Sequence, residues 1–172
     1  VKSDKIVGAV RIDLRPIEAE GRIVPGHWET DNMEGKRSDR TSVSVTVERM
    51  TRITRLSKLI NHLSETKADA VIKTMRNEPP AFRNTLTSDN GSENAKHKKI
   101  TRETGVSFYT CYPYHSWEKG TVENMIGRVR RFIPKGRSID NISEEELKRI
   151  ENILNNTPRK CLSYLTPNEV YE

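Results

Sequence analysis

The chain is short of most features that would assign its 172 residues to a class at once. It has two cysteines, Cys111 and Cys161. Two thiols cannot build a disulfide framework or a four-ligand zinc site, so disulfide-rich scaffolds and structural zinc modules are excluded and a reduced, cytoplasmic setting is expected. Aromatic residues make up 6% of the chain. No apolar run approaches the ~18 residues that a membrane-spanning helix needs, so no membrane association is expected. No basic, apolar, small-residue leader opens the chain. It begins at Val1, as a fragment or a processed chain would. With 33% apolar residues, the expectation is one domain with a small core and a heavily charged surface.

What is present in quantity is charge. Thirty Lys and Arg stand against 24 Asp and Glu, a net charge of +6. Such a balance points to an anionic partner, nucleic acid first.

Residues 1–25 carry little periodicity and read as a leading segment or linker remnant, with one domain over 26–172. His27–Met33 is a candidate strand. Thr41–Glu48 alternates Val43, Val45 and Val47 with Ser42, Ser44 and Thr46, the pattern of a half-buried strand. Arg49–Arg52 reads as a turn and Ile53–Leu59 as a third strand. Ala68, Val71, Ile72 and Met75 then mark one face of a helix, closed by Pro79-Pro80. Thr85–Asp89 is a brief strand. Asn90 and Glu93 have the spacing of a capping box, Gly105 suits a helix end, and Val106–Tyr109 suits a strand. Val122, Met125, Ile126, Val129, Phe132 and Ile133 share a helical face that Pro134 ends. Ser143 with Glu146 and Thr166 with Glu169 open two more helices. A strand meander followed by alternating helices and strands predicts an α/β fold with helices packed on a mixed sheet.

Three carboxylates stand out by position: Asp31 near the end of the first strand, Asp89 at the end of a later strand, and Glu123 in the first turn of a helix. Carboxylates brought together from distant segments repel unless a cation binds them. Mg²⁺ suits such a site, because it takes oxygen ligands and keeps waters for substrate phosphates. Each residue also has an ordinary reading. Asp89 before Asn90-Gly91 is good turn chemistry, and Glu123 favours a helix N-terminus.

Three stretches carry a resemblance. Gly26-His27-Trp28-Glu29-Thr30-Asp31, Thr87-Ser88-Asp89-Asn90-Gly91-Ser92-Glu93 and Pro113-Tyr114-His115-Ser116-Trp117-Glu118-Lys119-Gly120-Thr121-Val122-Glu123-Asn124 resemble, in order, the catalytic motifs of bacterial insertion-sequence transposases of the IS-thirty family. Pro134-Lys135-Gly136, Pro158-Arg159-Lys160 and Thr166-Pro167 extend the resemblance over about residues 10–172. It implies an RNase H-like fold with a mixed five-stranded sheet and helices on both faces, and a catalytic, metal-binding triad of Asp31, Asp89 and Glu123. It further implies two Mg²⁺ or Mn²⁺ ions when DNA is bound, and cleavage and joining of transposon DNA ends. The implied partners are double-stranded DNA, both transposon ends and target, and further copies of the chain assembled on it. The implied location is the bacterial cytoplasm, at the nucleoid. The family places helix-turn-helix segments before this core, and none is visible. Thr30, Asn94 and Val122 depart from the family pattern, where Gly, an aromatic and Asn would be expected.

Candidate DNA contacts gather around Glu123: Lys119, Arg128, Arg130, Arg131 and Lys135, with His115 and Trp117 in the preceding loop. A second basic stretch, 36–58, reads equally as a solvated sheet edge. Glu29 shares a strand face with Asp31 and reads as a residue tuning the site or as an edge-strand charge. His27, His62 and His97 lack ligand spacing. Two other functions are compatible with the motifs: a metal-dependent nuclease of the same fold that only hydrolyses, and an inactive DNA-binding or regulatory module. A tyrosine recombinase is disfavoured, because no histidine is followed by Arg three residues on.

Overall fold

The computed structural model describes residues 6–113 and 115–172, with Ser116 and Trp117 as backbone only. Among these residues five strands form one sheet: β1 (His27–Glu34), β2 (Ser42–Glu48), β3 (Thr54–Leu59), β4 (Thr85–Ser88) and β5 (Ser107–Thr110). The helices are α1 (Glu18–Gly21), α2 (Ser64–Arg76), α3 (His97–Thr104), α4 (Gly120–Val129), α5 (Glu144–Asn155) and α6 (Pro167–Tyr171). Strand order is β3-β2-β1-β4-β5. The first three strands are an antiparallel meander; β4 joins β1 in parallel and β5 joins β4 in parallel. This is the mixed sheet that the element order implied. None of the described helices is long and apolar enough to cross a membrane.

Two cores lie on the two faces of the sheet. Val43, Val45 and Val47 pack with Val122, Met125 and Val129 of α4 and Leu147, Ile150 and Leu154 of α5. Trp28 and Leu86 pack with Ala68, Val71 and Met75 of α2 and Ile100 of α3. β2 was expected to be half-buried, yet all seven of its residues are buried. The Ser and Thr face is covered by α2, which sends Lys67 down onto it. Lys67 donates to Thr30 Oγ1 at 2.8 Å and to Ser44 Oγ at 2.7 Å. Buried hydroxyls need partners, and a lysine supplies donors without an added carboxylate.

The helix boundaries follow their caps. Ser143 accepts from Glu146 N, Thr166 and Glu169 form a reciprocal capping box, and Gly105 ends α3 in the left-handed conformation at φ 78°. Asn90–Glu93 opens no α-helix. A 3-10 turn, Ser92–Asn94, intervenes before α3. Helix α4 stops at Val129, short of Pro134.

The basic stretch 36–58 is a solvated edge only in part: Lys36, Arg37 and Arg40 are exposed, and later residues are engaged. Arg49 is buried, Arg55 donates to Glu78 Oε1 at 2.7 Å, and Lys58 donates to the carbonyls of Asp140 and Ile142. The open edge of β3 is covered by α5. Asn155 exchanges two hydrogen bonds with the Thr54 backbone, and Glu151 accepts from Leu56 N, which pairs three of the groups an edge strand would present. Residues 6–25 run against the other end of the sheet. Ile6 is buried, Arg11 bridges Thr110, and Arg15 donates to Thr87 Oγ1.

Candidate active site

Because β1 and β4 are neighbours and run parallel, residues near their C-terminal ends come together. Asp31 is carried by β1, and Asp89 follows Ser88, the last residue of β4. Asp89 is fixed by its own turn: Oδ1 accepts from Gly91 N at 3.0 Å and from Asn94 Nδ2 at 3.1 Å. Asp31 Oδ1 accepts from Asn32 N at 2.8 Å.

The third carboxylate beside them is Glu93. One oxygen each of Asp31, Asp89 and Glu93 lie within 4.8 Å of one another, all three side chains being half-buried. The turn after Asp89 folds Glu93 back, and its carboxylate occupies the space a side chain at Gly91 would need. Glu93 is a residue that sequence reasoning assigned to helix capping. Burial, reinforced by Asp89 and Asp31, raises its pKa, its own backbone N–H and Lys67 pulling the other way. Glu123 does not join the group in this structure. It is exposed in the first turn of α4.

Two lysines face the carboxylates. Lys119, immediately before α4, donates to Asp31 Oδ2 at 2.6 Å and lies 3.8 Å from Asp89 Oδ2. Its burial works against the charge, but the two aspartates prevail and its pKa is raised. Lys67 lies beneath, fully buried. Desolvation pulls its pKa to about 8, against the opposing pull of Asp31, Glu93 and Asp89.

Glu29 locks the helix to the strand. It is wholly buried on β1, two residues from Asp31, and pairs with Arg49. Its other oxygen accepts from Val122 N at 3.2 Å, which satisfies one of the free N–H groups of the first turn of α4. The edge-strand reading of Glu29 is therefore corrected: β1 is the central strand. The departures from the family pattern have local work here. Thr30 holds Lys67, Asn94 holds Asp89, and the Val122 side chain packs in the core beneath α4.

The other predicted contacts serve different surroundings. His115 Nδ1 lies 2.7 Å from Glu118 Oε1. Arg128 lines a basic cleft beside α4. Arg130 donates to the Glu34 carbonyl at 2.7 Å, while Arg131 and Lys135 are exposed. The Trp117 side chain lies outside the described residues. His27 and His97 are buried, bonded to Thr85 Oγ1 and paired with the Val7 carbonyl, and none of the histidines belongs to the acidic group.

An oxygen-only donor set with no thiolate or imidazole in it fits a hard divalent cation. The Lys119 ammonium on Asp31 and Asp89 shows that the position favours positive charge.

No protein-family model matches the chain. It is 37% identical over 166 residues to the transposase for insertion sequence element IS1086 of Cupriavidus metallidurans, covering 96% of this chain and 49% of that protein. It is 38% identical to the IS4351 transposase of Bacteroides fragilis over 97% of this chain and 51% of that protein. To transposase InsI of IS30A from Escherichia coli it is 34% identical, over 97% of this chain and 43% of that protein. The chain thus spans about half the length of these relatives. Among solved structures, the catalytic core domain of BIV integrase matches with a TM-score of 0.62 at 19% identity, over 85% of this chain and 93% of that one. A simian T-cell lymphotropic virus intasome, solved in complex with a PP2A regulatory subunit, matches with a TM-score of 0.67 at 14% identity, over 87% of this chain and 55% of that one. Across nearly its whole length the chain is therefore kin to the insertion-sequence transposases, that of IS30 among them, on the RNase H-like fold of the integrase catalytic core.

Proposed function

We propose that the chain is the catalytic part of a DDE transposase, which cleaves and joins transposon DNA ends with a divalent ion, Mg²⁺ or Mn²⁺. The observation that carries this reading is the pair Asp31 and Asp89, set side by side by adjacent parallel strands and bridged by the Lys119 ammonium. Asp31 and Asp89 would hold the ion, and Glu123 would complete the triad from α4, one helical turn beyond Lys119. The chemistry such an ion supplies is activation of the attacking oxygen and stabilisation of the leaving one.

The protein's own groups position and exclude. Glu29 and Arg49 fix the start of α4 relative to β1. Asn94 and Gly91 N hold Asp89 in one orientation. The thiol near this site, Cys111, is buried, and desolvation pushes its pKa up to about 12, so it is protonated and no nucleophile. In the proposed metal-ion mechanism the attacking group is a water or a DNA 3′-hydroxyl, and no covalent protein–DNA adduct forms. Double-stranded DNA is the substrate, and assembly of several copies on it fits the reading.

A second reading has its own observation: Glu93, not Glu123, is the carboxylate beside the aspartates. The test is nicking and joining of labelled transposon ends in Mg²⁺ or Mn²⁺ by the full-length protein and by Asp31→Asn, Asp89→Asn, Glu93→Gln and Glu123→Gln. The triad reading expects both aspartate variants and Glu123→Gln to lose both reactions while still binding DNA. Near-normal strand transfer by Glu123→Gln, with loss in Glu93→Gln, would transfer the role to Glu93. Nicking without joining would make the protein a nuclease only.

A further inference from the structure

A second face of α4 borders a cleft of about 700 Å³. Arg22, Arg52, Arg128, Arg159 and Lys160 line it, together with Thr121 and Asn124, and no carboxylate does. Among the described residues none of the five cations pairs with an acid. Arg159 is buried, with 4% of its surface exposed, and is anchored by donating to the Leu154 carbonyl at 3.1 Å. Its Nε meets no acceptor, and neither does the buried Nη1 of Arg52. Arg22 donates to Thr121 Oγ1 at 2.6 Å, which ties the cleft to the first turn of α4.

Buried donors without acceptors are unfavourable, and like charges packed together more so. The strain shows in basicity. Arg159 is pulled to about 10, by burial first and then by Arg128, Arg131 and Arg52, with Cys161 opposing. Arg22 is lowered by burial, then by Arg49 and Arg52, with Glu29 and Glu20 opposing. Arg22 and Arg52 also hold left-handed backbone at φ 52° and 64°, a conformation uncommon outside glycine. An anion with several acceptor oxygens relieves both problems at once, and planar guanidinium groups match phosphate oxygens in pairs.

We infer that this cleft binds phosphodiester groups of the DNA backbone, seating a strand on the side of α4 away from Glu123. The inference rests on the transposase reading for its choice of DNA over a small anion.

The test uses the full chain and two readouts. Cys161 lines the cleft and is exposed, whereas Cys111 is buried, so Cys161 alkylation by neutral iodoacetamide reports occupancy. Saturating duplex DNA should slow that alkylation several-fold, and millimolar inorganic phosphate should leave it unchanged. In salt titrations of duplex binding, Arg128→Gln with Lys160→Gln should weaken affinity about tenfold and flatten the salt slope by roughly two units. Arg52→Asn, which keeps the left-handed backbone, should flatten it by about one. The pair Lys73→Gln with Arg102→Gln removes the same charge from α2 and α3 and should lose clearly less. Unprotected Cys161, or an equal loss in that control pair, overturns the proposal. Protection by phosphate alone would make the cleft a small-anion site and overturn it as well. Cys161 protection without metal-dependent cleavage would leave the cleft standing and remove the enzymatic reading, whereas cleavage without protection would do the reverse.

Discussion

Lys119 donates to Asp31 at 2.6 Å from a side chain that is only 3% exposed, so a carboxylate assigned to a divalent ion already carries an internal cation. In the free chain the ammonium stays on the carboxylates, because its stem is enclosed and both aspartates hold the charge. On the proposed function, an entering divalent ion would have to displace it. Lys119→Met should tighten Mn²⁺ binding to the DNA-free chain, read by calorimetry or by the free-Mn²⁺ signal in electron paramagnetic resonance. Unchanged or weaker binding would mean that the lysine and the ion do not compete.

Glu29 tests the link between strand and helix. Glu29→Gln leaves Arg49 buried with its main partner neutralised and alters the acceptor for Val122 N. Breaking a buried pair from one side costs about 3 kcal/mol. The midpoint of urea unfolding should fall accordingly, and strand cleavage should fall further than stability alone accounts for, since α4 carries Glu123. A variant as stable as the parent would show that Arg49 finds full compensation elsewhere.

Lys67 gives stability a pH dependence of defined sign. Its folded pKa, about 8, lies below the ordinary value of 10.5. Between those values the unfolded chain binds more protons, so stability rises with pH across this window; below pH 8 the burial penalty is present in full. The contribution amounts to about 3 kcal/mol at most. Urea melts of the parent and of Lys67→Met at pH 7.5, 9 and 10 should show the parent gaining on the variant as pH rises. Parallel curves would contradict a buried, weakened ammonium.

Gly127 sits in the last turn of α4, where a Cβ would meet nothing within 4 Å. Gly127→Ala should then stabilise the protein by about 0.5–1 kcal/mol through helix propensity alone. A loss of stability on that substitution would point to a neighbour the free chain does not display.

Much of this was legible in the sequence. Strand alternation in Val43–Val47, the helical stripe of α2 and the Ser143 and Thr166 caps are local patterns, and each fell where it should. What was missed is long-range. Nothing near residue 29 announces that β4 will pair beside β1, so Glu29 read as an edge charge. Glu93 met a capping pattern that uses the same residue type as a metal ligand. One signal was available for Lys67: it precedes Val71 by four residues and Met75 by eight, on the buried stripe itself, and a lone lysine in that register marks a charge the core must answer.

Lys67 has a consequence for how the site presents itself to a polyanion. In the free chain three carboxylates face two ammonium groups. On the proposed function, exchange of Lys119 for one divalent ion would leave the same carboxylates facing three positive charges. The region would move by a single unit, from slightly negative to neutral. A DNA strand would therefore meet a nearly uncharged floor, and its approach would not have to await the ion.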